Sequence, residues 1–290
     1  MSRRGWILFF TVGLLWGIPY LLIKVAVEEL SAPDIVLSRV VIGSLILIPI
    51  SIRRGSFKSA FTNMRYVFPY AIAEMVIPWI LITAAEQKIN SGLAGLLVAT
   101  VPIWSTILAS AYGDKTVWHQ KRLIGMLVGF IGIFLVVGIE SLSGKNSFVA
   151  IAMILLASAS YAWAVARIQS QIPHVDGIAI NGIAMFITAL VYLPFVILNH
   201  PTHIPSARVI ASVVGLGLFP TALAFILFFI LLKEIGAARA SLVTYLNTAF
   251  AILLGVVLLG EPLTLGIAIG LPLVLIGSYF ASRKPQVTSL

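Results

Sequence analysis

SGLAGLLVATVPIWSTILASAYGDKTV, residues 91–117, and AARASLVTYLNTAFAILLGVVLLGEPLT, residues 237–264, read as two versions of one pattern. Each opens on small residues, runs for the length of a helix and closes on a glycine–acid pair, Gly113-Asp114 in the first and Gly260-Glu261 in the second, 147 residues apart. A second echo lies upstream of each: PDIVLSRVVIG (Pro33–Gly43) aligns with VDGIAINGIAM (Val175–Met185), pairing Asp34 with Asp176 and Arg39 with Asn181. The spacing is half the chain, so the expected domains are repeats over 1–143 and 144–290. Five spans per copy is an odd number, so the second copy enters the membrane upside down, as an inverted repeat.

Composition shows that the solvent is lipid. Of 290 residues 60% are hydrophobic and 10% charged, against roughly 45–50% and about 25% in soluble domains. With no cysteine, a disulfide framework, thiolate metal site and cysteine nucleophile are excluded. The net charge of +9 comes from short basic clusters between apolar runs, placed to meet anionic lipid head groups rather than nucleic acid. The N-terminal apolar run exceeds a signal-peptide core and lacks a small-residue cleavage site, so it reads as a retained helix.

About 20 apolar residues cross a bilayer. The expected fold class is therefore all-α and integral to the membrane, with ten transmembrane helices near 6–27, 34–52, 66–86, 90–112, 121–139, 148–169, 176–198, 208–232, 236–259 and 264–281, joined by short connections. Fourteen Lys and Arg fall on one side of this arrangement, among them Arg3, Arg53, Arg54, Lys115, Arg122, Arg167, Lys233, Arg239 and Lys284. Five fall on the other, namely Lys24, Arg39, Lys88, Lys145 and Arg208. Basic residues collect in the cytoplasm, which puts both termini there, the parity that ten spans require. Inverted repeats supply two packings of similar energy and so favour an alternating-access transporter over a static scaffold.

Helical spacing locates the inward faces. Gly13, Trp16, Gly17, Tyr20 and Lys24 share an arc of about 100° on the first span, Ser241, Thr244, Tyr245 and Thr248 share one on the ninth with Asn247 beside them, and Thr221, Phe225 and Phe228 align on the eighth. Such faces serve helix packing or line a cavity; aromatics and hydroxyls on several helices suit an organic solute, not an ion filter. Glu74 lies near the middle of the third span, where a charged side chain costs roughly 2.5–3.5 kcal/mol. It is protonated, which suits a proton-coupled carrier, or it is paired in a structural bridge. Arg39 stands about two turns inside its span. It either snorkels to the surface, or pairs with Glu74 or a substrate carboxylate, or bonds carbonyls freed at Pro19, Pro78, Pro102 or Pro220. The fifth and tenth spans carry Gly125-xxx-Gly129 and Gly266-xxx-Gly270 and read as peripheral and dimer-forming, so the chain is expected as a monomer or homodimer. His200 and His203 read as solvated loop residues, no metal or other cofactor is expected, and no enzyme motif is present.

The run LLWGIPYLLIKVAVE, Arg39 early in the second span, Pro102 ahead of Gly113-Asp114, and above all ARASLVTYLNTAFAILLGVVLLGEPLTLGIAIGLPLVLIG resemble the EamA-type members of the drug/metabolite transporter superfamily over nearly the whole chain. The resemblance implies a ten-helix inner-membrane carrier with spans one, three, four, six, eight and nine around a cavity and five and ten outside. It implies Trp16, Tyr20, Glu74, Trp79, Thr100, Tyr161, Trp163, Thr221, Phe225, Tyr245 and Asn247 as substrate-binding candidates; Trp79, Thr100, Tyr161 and Trp163 rest mainly on it. Two departures from the family pattern are Thr248, where relatives often have a proline that kinks the ninth helix, and the Gly-Asp with a basic tail in the first repeat. The expected function is export of small amphipathic metabolites, foremost amino acids, including aromatic ones. The alternatives are a carrier of nucleotide sugars or other solutes, which needs a basic midplane pocket where only Arg39 is available, and a non-transporting membrane sensor or assembly factor.

Overall fold

The computed structural model describes residues 1–111, 118–142, 148–199, 204–236, 240 and 242–282. The Gly113-Asp114 pair, Ser241, both loop histidines and the basic residues Lys115, Lys145, Arg239, Arg283 and Lys284 lie outside the described residues.

Among the described residues ten long helices and one short one follow in order: α1 Arg3–Ala26, α2 Ala32–Arg53, α3 Phe57–Thr62, α4 Met64–Glu86, α5 Ser91–Ala111, α6 Gln120–Leu142, α7 Phe148–Gln171, α8 Gly177–Leu198, α9 Ala207–Ile235, α10 Val243–Leu259 and α11 Leu265–Ser282. There is no strand among the described residues. Seven of these helices, α1, α2, α4, α5, α7, α8 and α9, are long and apolar enough to cross a membrane, and α10 and the apolar part of α11 are shorter. Their outer faces expose Leu45, Phe134 and Val257 at 69%, 81% and 66%, a surface suited to acyl chains rather than water. The short α3 was not expected from hydropathy, and α10 begins at Val243, seven residues after the expected start of the ninth span.

Polar residues at the helix ends explain where the elements begin. The Ser2 and Ser206 hydroxyls accept the N–H groups of Gly5 and Val209. Ser31 and Asp34 form a reciprocal capping box behind Pro33, and Asp176 accepts the Ile178 N–H at 2.7 Å. Asp34 and Asp176, matched in the sequence, are thus both helix-starting residues. Gly236 and Gly260 end α9 and α10 with positive φ of 79° and 66°.

Packing pairs helices across the two halves: α1 lies on α9 and α10, α7 on α4 and α5, α2 on α8 and α9, α4 on α8, α5 on α10, and α6 on α11. The α6–α11 contact needs glycine, since a Cβ on Gly277 would stand 2.3 Å from the Gly129 nitrogen and one on Gly125 2.5 Å from the Ala281 nitrogen. This corrects the reading of Gly125-xxx-Gly129 as a face for a second copy: it is filled inside the chain.

Candidate functional site

Prolines shape the helices that build the site. In α4, Pro78 has no N–H to return, and the turn Ile72–Val76 ahead of it widens to π-helical pitch. Carbonyls of that turn find donors on other helices: Ser160 on α7 donates to the Ala73 oxygen at 2.7 Å, and Tyr192 on α8 to the Val76 oxygen at 2.7 Å. The turn carries Glu74 at its centre. In α9 a second π-helical turn, Gly217–Leu223, surrounds Pro220 and carries Thr221. In α5 the helix breaks at Ala99 and Thr100, just ahead of Pro102. Pro19, expected to interrupt α1, sits within an unbroken helix. Thr248 also leaves α10 continuous, donating to the carbonyls of Thr244 and of Gly95 on α5.

Between these helices lies a cavity of about 1300 Å³. At one end it reaches exposed residues, Arg54, Gln169, His174 and Lys233, where α2, α7 and α9 finish. At the other it stops on Tyr20, Ile23 and Ile82, all at most 6% exposed. Its wall is aromatic: Trp16 meets Phe228 with ring centroids 4.7 Å apart and Phe225 edge-on at 5.9 Å. Such a chamber, largely apolar with a few polar groups and one open end, is the form of a site for a small organic solute.

Eight of the eleven sequence candidates line this cavity: Trp16, Tyr20, Glu74, Trp79, Tyr161, Phe225, Tyr245 and Asn247. Three do not. Thr100 is fully buried and donates to the Leu97 carbonyl at 2.7 Å, its hydroxyl spent on the break in α5. Trp163 lies in a separate crevice with Phe68, Ile72 and Leu156, on the far side of α4 and α7. Thr221 is fully buried, and its hydroxyl accepts the Arg39 Nε–H at 2.7 Å.

Arg39 is turned inward. Only 8% exposed, it lines the cavity with its guanidinium carbon 3.7 Å from the Trp79 ring centroid. The geometry rules out snorkelling and carbonyl binding at a proline break, and no ion pair joins it to Glu74. One carboxyl oxygen of Glu74, Oε2, is buried without a hydrogen-bond partner. Asn181, aligned with Arg39 in the sequence, accepts the Tyr70 hydroxyl proton at 3.1 Å.

The closed end holds Lys24, from the inward arc of the first span, and two carboxylates that hydropathy did not single out. The Lys24 ammonium donates to the carbonyls of Glu86 at 2.6 Å and Ile89 at 2.8 Å, tying α1 to the end of α4. Both Glu86 carboxyl oxygens are buried without partners. The Glu261 carboxylate crosses from the second half to the start of α5, accepting the Ser91 N–H and hydroxyl at 2.8 and 2.7 Å and the Gly92 N–H at 3.2 Å. Glu86 stood at a span boundary, where a carboxylate reads as exposed; Glu261 was visible as a motif, but its partner is 170 residues away. Among the described residues no group of acids and histidines could hold a metal ion.

A bundle of apolar helices around a one-ended solute chamber defines a membrane transport protein. Comparison with known proteins agrees: the model of the EamA-like transporter family matches residues 3–138 and again 149–283, and the chain belongs to that family. It is 27% identical to an uncharacterized transporter of Archaeoglobus fulgidus, over 97% of this chain and 99% of that one. It is 28% identical to the uncharacterized inner membrane transporter YedA of Escherichia coli, over 96% and 92%. A probable terminal-alkyne amino-acid exporter of Streptantibioticus cattleyicolor is 23% identical over 90% of this chain and 87% of its own. A solved crystal structure, 19% identical, superposes with a TM-score of 0.69 over 97% of both chains and shares the fold.

Proposed function

We propose that the protein exports small amphipathic metabolites, foremost amino acids, across the inner membrane by alternating access. In this reading ten spans form two inverted five-helix repeats, and the basic end, with both termini, faces the cytoplasm. Three features support the repeat. The family model matches twice. The π-helical turns fall in the third long helix of each half. Most cross-half contacts recur with the halves exchanged: α1–α10 with α7–α5, α1–α9 with α7–α4, and α2–α9 with α8–α4. Two halves that can trade conformations give one chamber that opens to either side in turn.

The observation that carries the function is the cavity itself, which among the described residues reaches exposed side chains at the end where Arg54 and Lys233 stand and buried ones at the other, with aromatic rings along its wall and few polar groups. Rings cover the apolar body of a solute, while Asn247, Tyr245 and Glu74 orient its polar end. A phosphorylated or nucleotide-linked solute is disfavoured, because the deep part of the cavity offers one cation, Arg39, and the other lining cations, Arg54, Arg122 and Lys233, stand toward the open end. Purified protein in liposomes, preloaded with unlabelled amino acids and assayed for counterflow with a labelled panel, tests the reading. Saturable exchange of at least one member is expected; no exchange by folded protein would reject amino acids as the cargo.

A further inference from the structure

We propose that the closed end of the cavity is a carboxylate-binding subsite, in which the Nη edge of the Arg39 guanidinium, held by Thr221 and stacked on Trp79, receives the carboxylate of the transported solute. The inference deepens the transport reading and rests on it for the word transported, but the binding geometry stands by itself.

A guanidinium has five N–H donors in a rigid plane. Thr221 takes the Nε donor and Trp79 covers one face, which leaves the Nη donors at the wall of the cavity. Among the described residues no carboxylate lies within ion-pair distance of them, although the side chain is more than nine-tenths buried. A buried cation without a counter-ion is costly to keep, and packing does not require it here. The matching junction in the other half, between α8 and α4, is made by the uncharged pair Asn181 and Tyr70. The charge of Arg39 is therefore surplus to the fold, and the two clamps hold the fork in one orientation, the condition for planar two-pronged recognition of a carboxylate.

The surroundings narrow the ligand further. Trp16, Tyr20 and Phe225 give the cavity an apolar body. The deep part of the cavity offers one cation, Arg39, so a single negative charge is matched there while the second charge of a phosphate monoester finds no counter-ion. The solute class is thus a monocarboxylate with an apolar or aromatic body, which an amino acid satisfies and a simple amine does not.

The test uses three probes of one shape on purified full-length protein in detergent: hydrocinnamate, phenethylamine and phenethyl phosphate. Binding is followed by calorimetry and by tryptophan fluorescence. Hydrocinnamate should bind saturably and more tightly than the other two by both readouts. Arg39→Gln should weaken hydrocinnamate by about tenfold or more, and Arg39→Lys, which keeps the charge without the fork, by less. Equal or tighter binding of phenethylamine or phenethyl phosphate to the wild type, no saturable binding of hydrocinnamate, or unchanged affinity in a folded Arg39→Gln protein would overturn the subsite. The wild-type ranking decides even if the variants fail to fold. Solute counterflow with the amine preferred would sink the subsite and spare the transport reading; hydrocinnamate binding without any counterflow would do the reverse.

Discussion

Replacing Glu261 with alanine removes a side chain that binds the first turn of α5 from the opposite half of the chain. The carboxylate accepts the Ser91 and Gly92 N–H groups and the Ser91 hydroxyl, so two of the four amides left open at that helix start depend on it. A well-formed hydrogen bond to a charged acceptor contributes about 1.5–3 kcal/mol, and the favourable placement of an anion at a helix N-terminus about 0.3–1 kcal/mol. Glu261 is partly exposed, and water can replace some of these bonds, which places the expected loss for Glu261→Ala near 2 kcal/mol. Glu261→Gln keeps one acceptor oxygen but turns an amide N–H toward the same donors, and about 1 kcal/mol is expected. At roughly 2–4 °C per kcal/mol for a chain of this size, alanine should lower the midpoint by about 4–8 °C and glutamine by half as much, read by thermal melting of the detergent-purified protein. Gly255→Ala offers an independent check, because its Cβ would stand 2.5 Å from the Glu261 Oε2 and should displace the same carboxylate. An alanine variant that melts within about 1 °C of the wild type would refute the reasoning. So would a glutamine variant that melts with the wild type, because shape rather than hydrogen bonding would then be at work.

Lys24→Met severs the bonds to the Glu86 and Ile89 carbonyls and should loosen the closed end; since the chain has no cysteine, a single cysteine at Ile82 reports this as faster maleimide labelling, and an unchanged rate would show that the tie does not hold the end shut. Gly277→Leu forces a side chain into the Gly129 backbone and should cost about 1–3 kcal/mol or more of stability, measured as a lower melting midpoint; wild-type melting would mean that α6 and α11 are not packed as described. Glu74→Gln keeps the shape of a cavity-lining side chain and should change the rate of solute exchange or its pH profile without loss of folded protein, whereas superimposable exchange curves across pH would leave Glu74 with a packing role. Trp163→Ala, in the outer crevice, should leave exchange within about twofold of wild type, while Trp16→Ala should depress it strongly; the reverse order would move the site.

Much of the architecture was legible because hydropathy reports the one-dimensional demand of a bilayer, that every backbone group in an apolar medium be bonded within its own helix. The sequence alone therefore determined the lipid setting, the helical class and helix limits mostly within about three residues of those observed for nine of the ten apolar runs, and the family resemblance that the comparisons bear out. Glu74 could be picked out for the same reason, as a carboxyl in the middle of an apolar run. What the period of a helix cannot report is which neighbour an apolar or small face meets, since lipid and protein interior are equally apolar in a membrane. Hence Thr221, on the same face as Phe225, lies outside the cavity lining, as do Thr100 and Trp163, which rested mainly on the family resemblance, and the glycine pair of α6 is filled from within.

The direction of Arg39 could only come from the tertiary structure. Its own helix is compatible with either direction; the choice is made by Thr221 and Trp79, which lie 182 and 40 residues along the chain and arrive beside it only when α9 and α4 have packed. The closed end follows the same rule, because Lys24, Glu86 and Glu261 sit at three separate helix ends whose meeting depends on how the halves dock. Local spacing along the chain sets what each helix is; which polar groups become partners is set by contacts between segments far apart in sequence, and those exist only in the folded protein.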